Sequence, residues 1–532
     1  MYGLRLSSPA ARRLAACLLG SALLISSQTP GFKIAGQVVR QTSAAVKGAR
    51  VSIFVAQSAD RQLSCVTGEN GEFAFSGLPR GKYLLQVNYH GWSQTYQQLD
   101  EYSTAIAVGP GRDSEHIVFP LDSPASIAGS VIDDAGDPVR NATVYLFGQS
   151  FYRGIPQTGL KSTASTATDG SFHFANLAPG TYYVAVTGRP WYAQTPQLPA
   201  VSGEQQVVDP ELDVAYPTTY YGGATTPEAA TPLKLEAGGR AEIQFNLRPV
   251  PALHISLDGI EKQPDQQIFG SLSQIGPGGA LLSVQAVFTN SALAGVAPGN
   301  YLLSTSLPGE KQSAAIGSQA VSLASDSTVH LSEAVKTSVS GKVVLSGEIP
   351  QGLAVFLENA ADRSQTAFAF VNQDGSFAMP DVRPARYDLR LANTPELYLK
   401  SVAAKGGAYS NGQLDVSSGA QIELTIHAER GLNKVDGMAV RGNKPVSGAM
   451  VLLLPLDFSH GNYIPRDQSD SDGTFTLNWA APGRYTLVAI DNGRGLEYAN
   501  PAVMAPYLQA GRVVDVPLPK DAAIEVEVQP RK

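Results

Sequence analysis

Short runs in which every second residue is apolar recur along the chain. Tyr83, Leu85 and Val87 form one run, and Tyr182, Val184 and Val186 another. Tyr387, Leu389 and Leu391, and Tyr485, Leu487 and Ala489, repeat it. Such alternation predicts a strand with one buried face. A second strand is predicted just upstream of each, carrying Phe73 and Phe75, Phe172 and Phe174, Phe377 and Met379, or Phe475 and Leu477. Before that strand stands Asn70-Gly71, Asp169-Gly170, Asp374-Gly375 or Asp472-Gly473, a tight turn in which glycine supplies positive φ. Between the two strands lies a proline turn that ends in the tyrosine. It reads Leu78-Pro79-Arg80-Gly81-Lys82-Tyr83, then Leu177-Ala178-Pro179-Gly180-Thr181-Tyr182, then Val296-Ala297-Pro298-Gly299-Asn300-Tyr301. Val382-Arg383-Pro384-Ala385-Arg386-Tyr387 and Ala480-Ala481-Pro482-Gly483-Arg484-Tyr485 complete the series.

The five tyrosines are spaced by 99, 119, 86 and 98 residues, a domain-sized period rather than a solenoid unit. Front halves recur too: Gly36-Gln37-Val38, Gly129-Ser130-Val131, Gly341-Lys342-Val343 and Gly437-Met438-Ala439 each open a short strand followed by a polar turn and a return. Outside the N-terminus no long segment has helical periodicity. The chain is therefore read as all-β: a tandem array of about five antiparallel β-sandwiches. The expected units are 1–27 (a signal segment), 31–122, 123–250, 251–335, 336–430 and 431–532.

In the second copy the pattern is nearly complete, from Gly129 through Pro138-Val139-Arg140-Asn141-Ala142-Thr143-Val144 and Thr168-Asp169-Gly170-Ser171-Phe172-His173-Phe174 to Tyr182. This order resembles the carboxypeptidase regulatory-like domain. The resemblance implies a seven-stranded, transthyretin-like sandwich, often grouped with the carbohydrate-binding-like fold. It covers copies one, two, four and five; copy three keeps only the Pro298-Gly299-Asn300-Tyr301 end. It is specific for fold and not for function, because its members serve as peptidase accessory domains, receptor extensions and free-standing secreted repeats. The related internal Lys–Asn crosslink is not expected, since no glutamate stands just after Tyr83, Tyr182 or Tyr485.

Composition narrows the setting. Hydrophobic residues are 43% and charged residues only 16%, so cores can form. The net charge of −7 over 532 residues argues against a nucleic-acid protein, which would carry a basic stripe. Arg5, Arg12 and Arg13, then the apolar stretch from Leu14 to Ile25, then Ser26 and Ser27, predict a cleaved export signal with a helical core. Cys17 opens that stretch instead of closing it, which favours cleavage near Ser27 over lipidation. Cys65 is then the lone thiol, and no later segment is long and apolar enough to span a membrane.

The seven histidines form no His-Glu-x-x-His, and His330-Leu331-Ser332-Glu333 lacks the third ligand and scaffold of a zinc peptidase. No Gly-x-Ser-x-Gly elbow, phosphate loop or Cys-x-x-Cys is present. No enzyme activity and no cofactor is expected. Asp133, Asp134 and Asp137, and Asp467, Asp470 and Asp472, read as turn residues, with calcium as the alternative. The candidate ligand-binding residues are aromatics: Trp191, Tyr192, Tyr220 and Tyr221 in copy two, Trp92 and Tyr96 in copy one. Amphipathic rings suit wet binding surfaces, although such residues also close the ends of sandwiches. The leading expectation is an exported, non-catalytic binding protein for polysaccharide or a cell-envelope partner. A ligand-free spacer or stalk, and an accessory to a separately encoded hydrolase, stand beside it.

Overall fold

The computed structural model describes residues 31–56, 62–194, 209–258, 269–284, 286–289, 292–307, 314–330, 337–360, 365–394, 396–410, 412–417, 419–456, 464–519 and 524–532. The expected signal segment, with Cys17, lies outside the described residues. Five β-sandwiches follow one another. The first pairs the sheet of Phe32–Arg40, Glu72–Leu78 and Ile117–Leu121 with the sheet built on Arg50–Val55 and Gly81–Tyr89. The second, third and fourth repeat this two-sheet plan, and in the fifth the two sheets join into one eight-stranded sheet through the pairing of Gly483–Ile490 with Ile524–Gln529. Among the described residues the only α-helix is Pro501–Leu508, capped by Asn500, whose side chain accepts from the Ala502 N–H.

The recurring residues each have a structural reason. The tyrosine ring sits in the core while its hydroxyl donates to the backbone four residues earlier. Those bonds are Tyr83 to Pro79 at 3.0 Å, Tyr182 to Ala178 at 2.7 Å, Tyr301 to Ala297 at 2.6 Å, Tyr387 to Arg383 at 2.8 Å and Tyr485 to Ala481 at 2.8 Å. The bond pins the proline turn to the strand it launches, and so explains why phenylalanine does not serve. Gly170 has φ +74°, and a Cβ there would stand 2.4 Å from the Val131 carbonyl oxygen. Gly71 and Gly375 meet the same obstacle from Val38 and Val343 at 2.4 Å. The turn must press on the opening strand, which only glycine permits.

To the antiparallel expectation the structure adds a parallel pair in every sandwich, and a second one in the fifth, where Ala489 lies beside Val528. The opening strand lies beside the closing one: Gly36 with Ile117, Gly129 with Ile243, Ile255 with Ser327, Gly341 with Leu424 and Gly437 with Ile524. Each sandwich has its own buried apolar cluster.

The sandwiches also touch. Tyr145, Phe147, Ala185 and Tyr220 of the second form one buried cluster with Ala280 and Leu282 of the third. The first and fifth meet through polar groups instead. Arg466 reaches Asp100 at 3.3 Å, Arg112 pairs with Asp472 at 3.1 Å, and Lys82 pairs with Asp470. Main-chain groups join in: Ser471 N–H donates to the Ala105 carbonyl at 2.9 Å, and Ala105 N–H donates to Asp470 Oδ1 at 3.0 Å. These contacts fold the array back on itself.

Candidate functional site

The six aromatics separate by position. Trp191 follows the strand Gly180–Thr187 and is 68% exposed. Tyr192 braces it edge-on, with ring centroids 5.7 Å apart and planes at 88°. Behind Tyr192 lies the buried Tyr216, whose hydroxyl is pushed well above its ordinary value by burial first, then by Tyr192 and Asp133. Burial and then Asp134 raise the Tyr192 hydroxyl in the same way. Both phenols therefore stay neutral donors at physiological pH. Asp133 is held in place by its own turn, Oδ1 accepting from Asp137 N–H at 2.8 Å and Ala135 N–H at 3.0 Å. The result is an exposed indole on a braced mount, with the half-buried Tyr192 and the exposed Asp134 nearby and with Asp133 and Tyr216 buried beneath them. Such an arrangement can stack on an apolar ring face and hydrogen-bond its rim.

The other candidates lie elsewhere. Tyr220 has no exposed surface, since Leu282 and Ala280 of the third sandwich cover it; its expected place on a binding face is corrected. Tyr221 is half-buried and meets Phe245 edge-on at 6.4 Å. Trp92 and Tyr96 are half-buried against the first core, Tyr96 lying 5.9 Å from Phe119. The structure thus brings Trp191 and Tyr192 together and leaves the other four as packing.

The acidic turns are engaged by the protein. Asp472 Oδ1 accepts from Thr474, while Asp467 accepts from Gln468 N–H at 2.8 Å and Thr476 N–H at 2.7 Å. Among the described residues no group of three or more His, Cys, Asp or Glu is placed to hold a metal ion. His460 and Glu333 lie outside the described residues. Cys65 is half-buried, and burial pushes its thiol up, away from reactivity.

Sequence reasoning missed Arg466 altogether. Its side chain is 3% exposed and lies between the rings of Tyr102 at 4.5 Å and Tyr498 at 5.3 Å. Two local signals existed: Arg466 and Gln468 share one face of a strand, and an acidic turn follows. Their partners stand some 365 residues away, beyond any local pattern.

With this geometry in view, the profile of the carboxypeptidase regulatory-like domain matches residues 33–121 and 126–213. The chain carries two carboxypeptidase regulatory-like domains. The first match spans the first sandwich and the second the leading part of the second, short of its closing strand Arg240–Leu247; the resemblance of the fourth and fifth rests on their shared motif residues and tyrosine bonds. No curated protein matches the chain. Solved structures similar to it include a streptococcal ancillary pilin, at 13% identity over 56% of this chain and 98% of that one, TM-score 0.18. BcpA, the major pilin subunit of Bacillus cereus, is 10% identical over 77% of this chain and 100% of its own, TM-score 0.14. Two B repeats of the collagen-binding protein of Staphylococcus aureus are 11% identical over 87% and 93%, TM-score 0.14. Among the described residues no helix is long and apolar enough to cross a membrane.

Proposed function

We propose that this chain is an exported, non-catalytic binding protein that takes polysaccharide of the cell envelope or its surroundings on the second sandwich. The observation that carries the reading is the braced Trp191, 68% exposed and mounted on Tyr192, with the exposed Asp134 near that tyrosine. A pyranose ring presents an apolar face to an indole and hydroxyls to the groups around it. The ion-paired contact between the first and fifth sandwiches favours this reading over an extended spacer, because it folds the array back instead of lengthening it.

The test is a glycan array and polysaccharide pull-down on residues 28–532, with Trp191→Ala as the comparison. Binding that Trp191→Ala weakens about tenfold or more supports the site. Absence of binding to every glycan and envelope preparation would overturn it.

A further inference from the structure

Each sandwich has a sheet that ends in an edge strand, a row of main-chain groups that can pair with another chain unless something blocks it. These strands are Gln62–Val66, Ile155–Ser165, Leu281–Ser283, Thr366–Phe370 and Arg466–Gln468. Three of them are engaged by another sandwich of the same chain. Gly278 of the third lies against the Thr158 carbonyl of the second, and Ser283 N–H of the third donates to the Tyr145 hydroxyl of the second at 3.1 Å. Arg466 and Gln468 of the fifth donate to the Leu99 and Gln97 carbonyls of the first. The edge strand of the first carries Gln62, Ser64 and Cys65 and no aromatic ring.

The fourth sandwich differs. Its edge reads Thr366-Ala367-Phe368-Ala369-Phe370, with no charge, no proline and an unbroken register against Ala354–Glu358. The usual protections of an edge are therefore missing. Ala367 and Ala369 pack on the core, whereas Phe368 and Phe370 are 57% and 60% exposed. Their rings are held in place: Phe368 stacks on Phe356 with centroids 6.4 Å apart, and Phe370 meets Phe368 edge-on at 5.7 Å. The flanking bonds fix which way the main chain points. Asn359 N–H donates to the Gln365 carbonyl, and Val371 N–H donates to the Leu353 carbonyl. In an antiparallel ladder, bonded and non-bonded pairs alternate. Ala367 and Ala369 thus aim their main-chain groups at the neighbouring strand, while Thr366, Phe368 and Phe370 aim theirs at the open edge. Among the described residues no main-chain group bonds to them on that side.

We propose that this edge pairs with the same strand of a second copy of the chain, antiparallel about a two-fold axis through Phe368. In that register Phe368 lies opposite Phe368 of the other copy, Thr366 opposite Phe370, and Ala367 opposite Ala369. The residues whose main-chain groups face outward then exchange bonds: Phe368 N–H with the opposite Phe368 carbonyl, and Thr366 with Phe370 in both directions. On one face the phenylalanines of both copies line up as a stripe of cross-strand neighbours, and on the other only alanines meet. No residue of the strand is charged, so no like charges oppose each other at the axis. A second copy is the fitting occupant because the strand complements itself in this register. Sandwiches of this same chain are also what engage the sister edges. A self-complementary patch of this kind closes a pair and stops there.

Sedimentation velocity on residues 28–532 across the micromolar range is expected to show a monomer–dimer equilibrium, weak because the strand is short. Phe368→Lys removes the central ring and sets two ammonium groups face to face. It should raise the dissociation constant about tenfold or more and leave the melting midpoint in place, since the ring it replaces is exposed. Crosslinking in a Cys65→Ser background reads the register. Phe368→Cys sets the paired Cα atoms about 5.5 Å apart, within disulfide reach, and should crosslink to itself under oxidised glutathione. Thr366→Cys should crosslink to Phe370→Cys when the two are mixed but not to itself, because its own counterpart stands about 13 Å away. A monomer at every concentration overturns the proposal. So does a dimer that Phe368→Lys leaves unchanged, crosslinking of Thr366→Cys to itself, or polymers that lengthen with concentration. Capture of an unrelated extended peptide by this edge, with no self-association, overturns it as well.

Discussion

Arg466→Met tests whether the contact between the first and fifth sandwiches is held by charge. The guanidinium is 3% exposed and donates to Asp100 Oδ2 from both terminal nitrogens at 3.3 Å, and to the Leu99 carbonyl at 3.2 Å. It lies between Tyr102 of the first sandwich and Tyr498 of the fifth. Methionine preserves the stem's packing but strands Asp100, whose side chain is 12% exposed. Removing one partner of a buried pair costs about 3–5 kcal/mol, and each lost cation–π contact adds about 0.5–2 kcal/mol. Gly495 N–H still reaches Asp100, which places the expected loss near the lower figure, about 3 kcal/mol. That corresponds to roughly a hundredfold shift toward the open array. Small-angle scattering should then show a larger radius of gyration for Arg466→Met, and hydrogen exchange should rise at Thr104 to Ala107 and at Ser469 to Ser471. Asp100→Asn should do the same, and the double variant should cost less than the sum of the two. Scattering curves that superpose on the unaltered chain, with additive melting shifts, would refute the argument that this charge pair closes the array.

Two further outcomes follow from single residues. Gly170→Ala should cost the second sandwich about 2 kcal/mol or more, because its Cβ would press on the Val131 carbonyl at 2.4 Å. Gly136→Ala, also left-handed at φ +87° but with nothing within 4 Å of the new carbon, should cost only about 1 kcal/mol; equal losses by chemical denaturation would contradict the contact argument. Burial pushes the Asp467 carboxyl up to about 6. A carboxyl raised above its unfolded value binds its proton more tightly when folded, so its contribution to stability falls as pH rises from about 4 to about 6. The advantage of Asp467→Asn over the unaltered chain should therefore grow by up to about 3 kcal/mol across that window and level off above it, as read by denaturation at stepped pH.

Much of the fold could be read locally. Alternation, turn glycines and the tyrosine after each proline turn are short-range signals, and they mark strands that exist. The third sandwich was legible only at Tyr301, yet it folds on the same plan. What alternation cannot give is the partner of a strand. Gly36 pairs with Ile117 across some 80 residues, and a buried face looks the same whichever neighbour covers it. The same limit hid Tyr220, whose cover comes from Leu282 in another sandwich. It also hid the joint of Arg466 and Asp100. The acidic turn at Asp470 was visible as a turn, but Lys82, which it pairs with, belongs to the far end of the chain.

The parallel pairing of opening and closing strands has a mechanical consequence. Because Phe32–Arg40 and Ile117–Leu121 run in the same direction side by side, the chain enters a sandwich at one pole and leaves it at the other. Tension applied at the two ends drags these strands past each other along their length. The evenly spaced bonds of a parallel ladder are then loaded together in shear, where a hairpin pulled from its open end would yield them one at a time. With the same pairing in all five units, a pull on the two ends of any one sandwich should meet resistance from its whole parallel ladder at once, a resistance set by the rate of forced unfolding rather than by equilibrium stability.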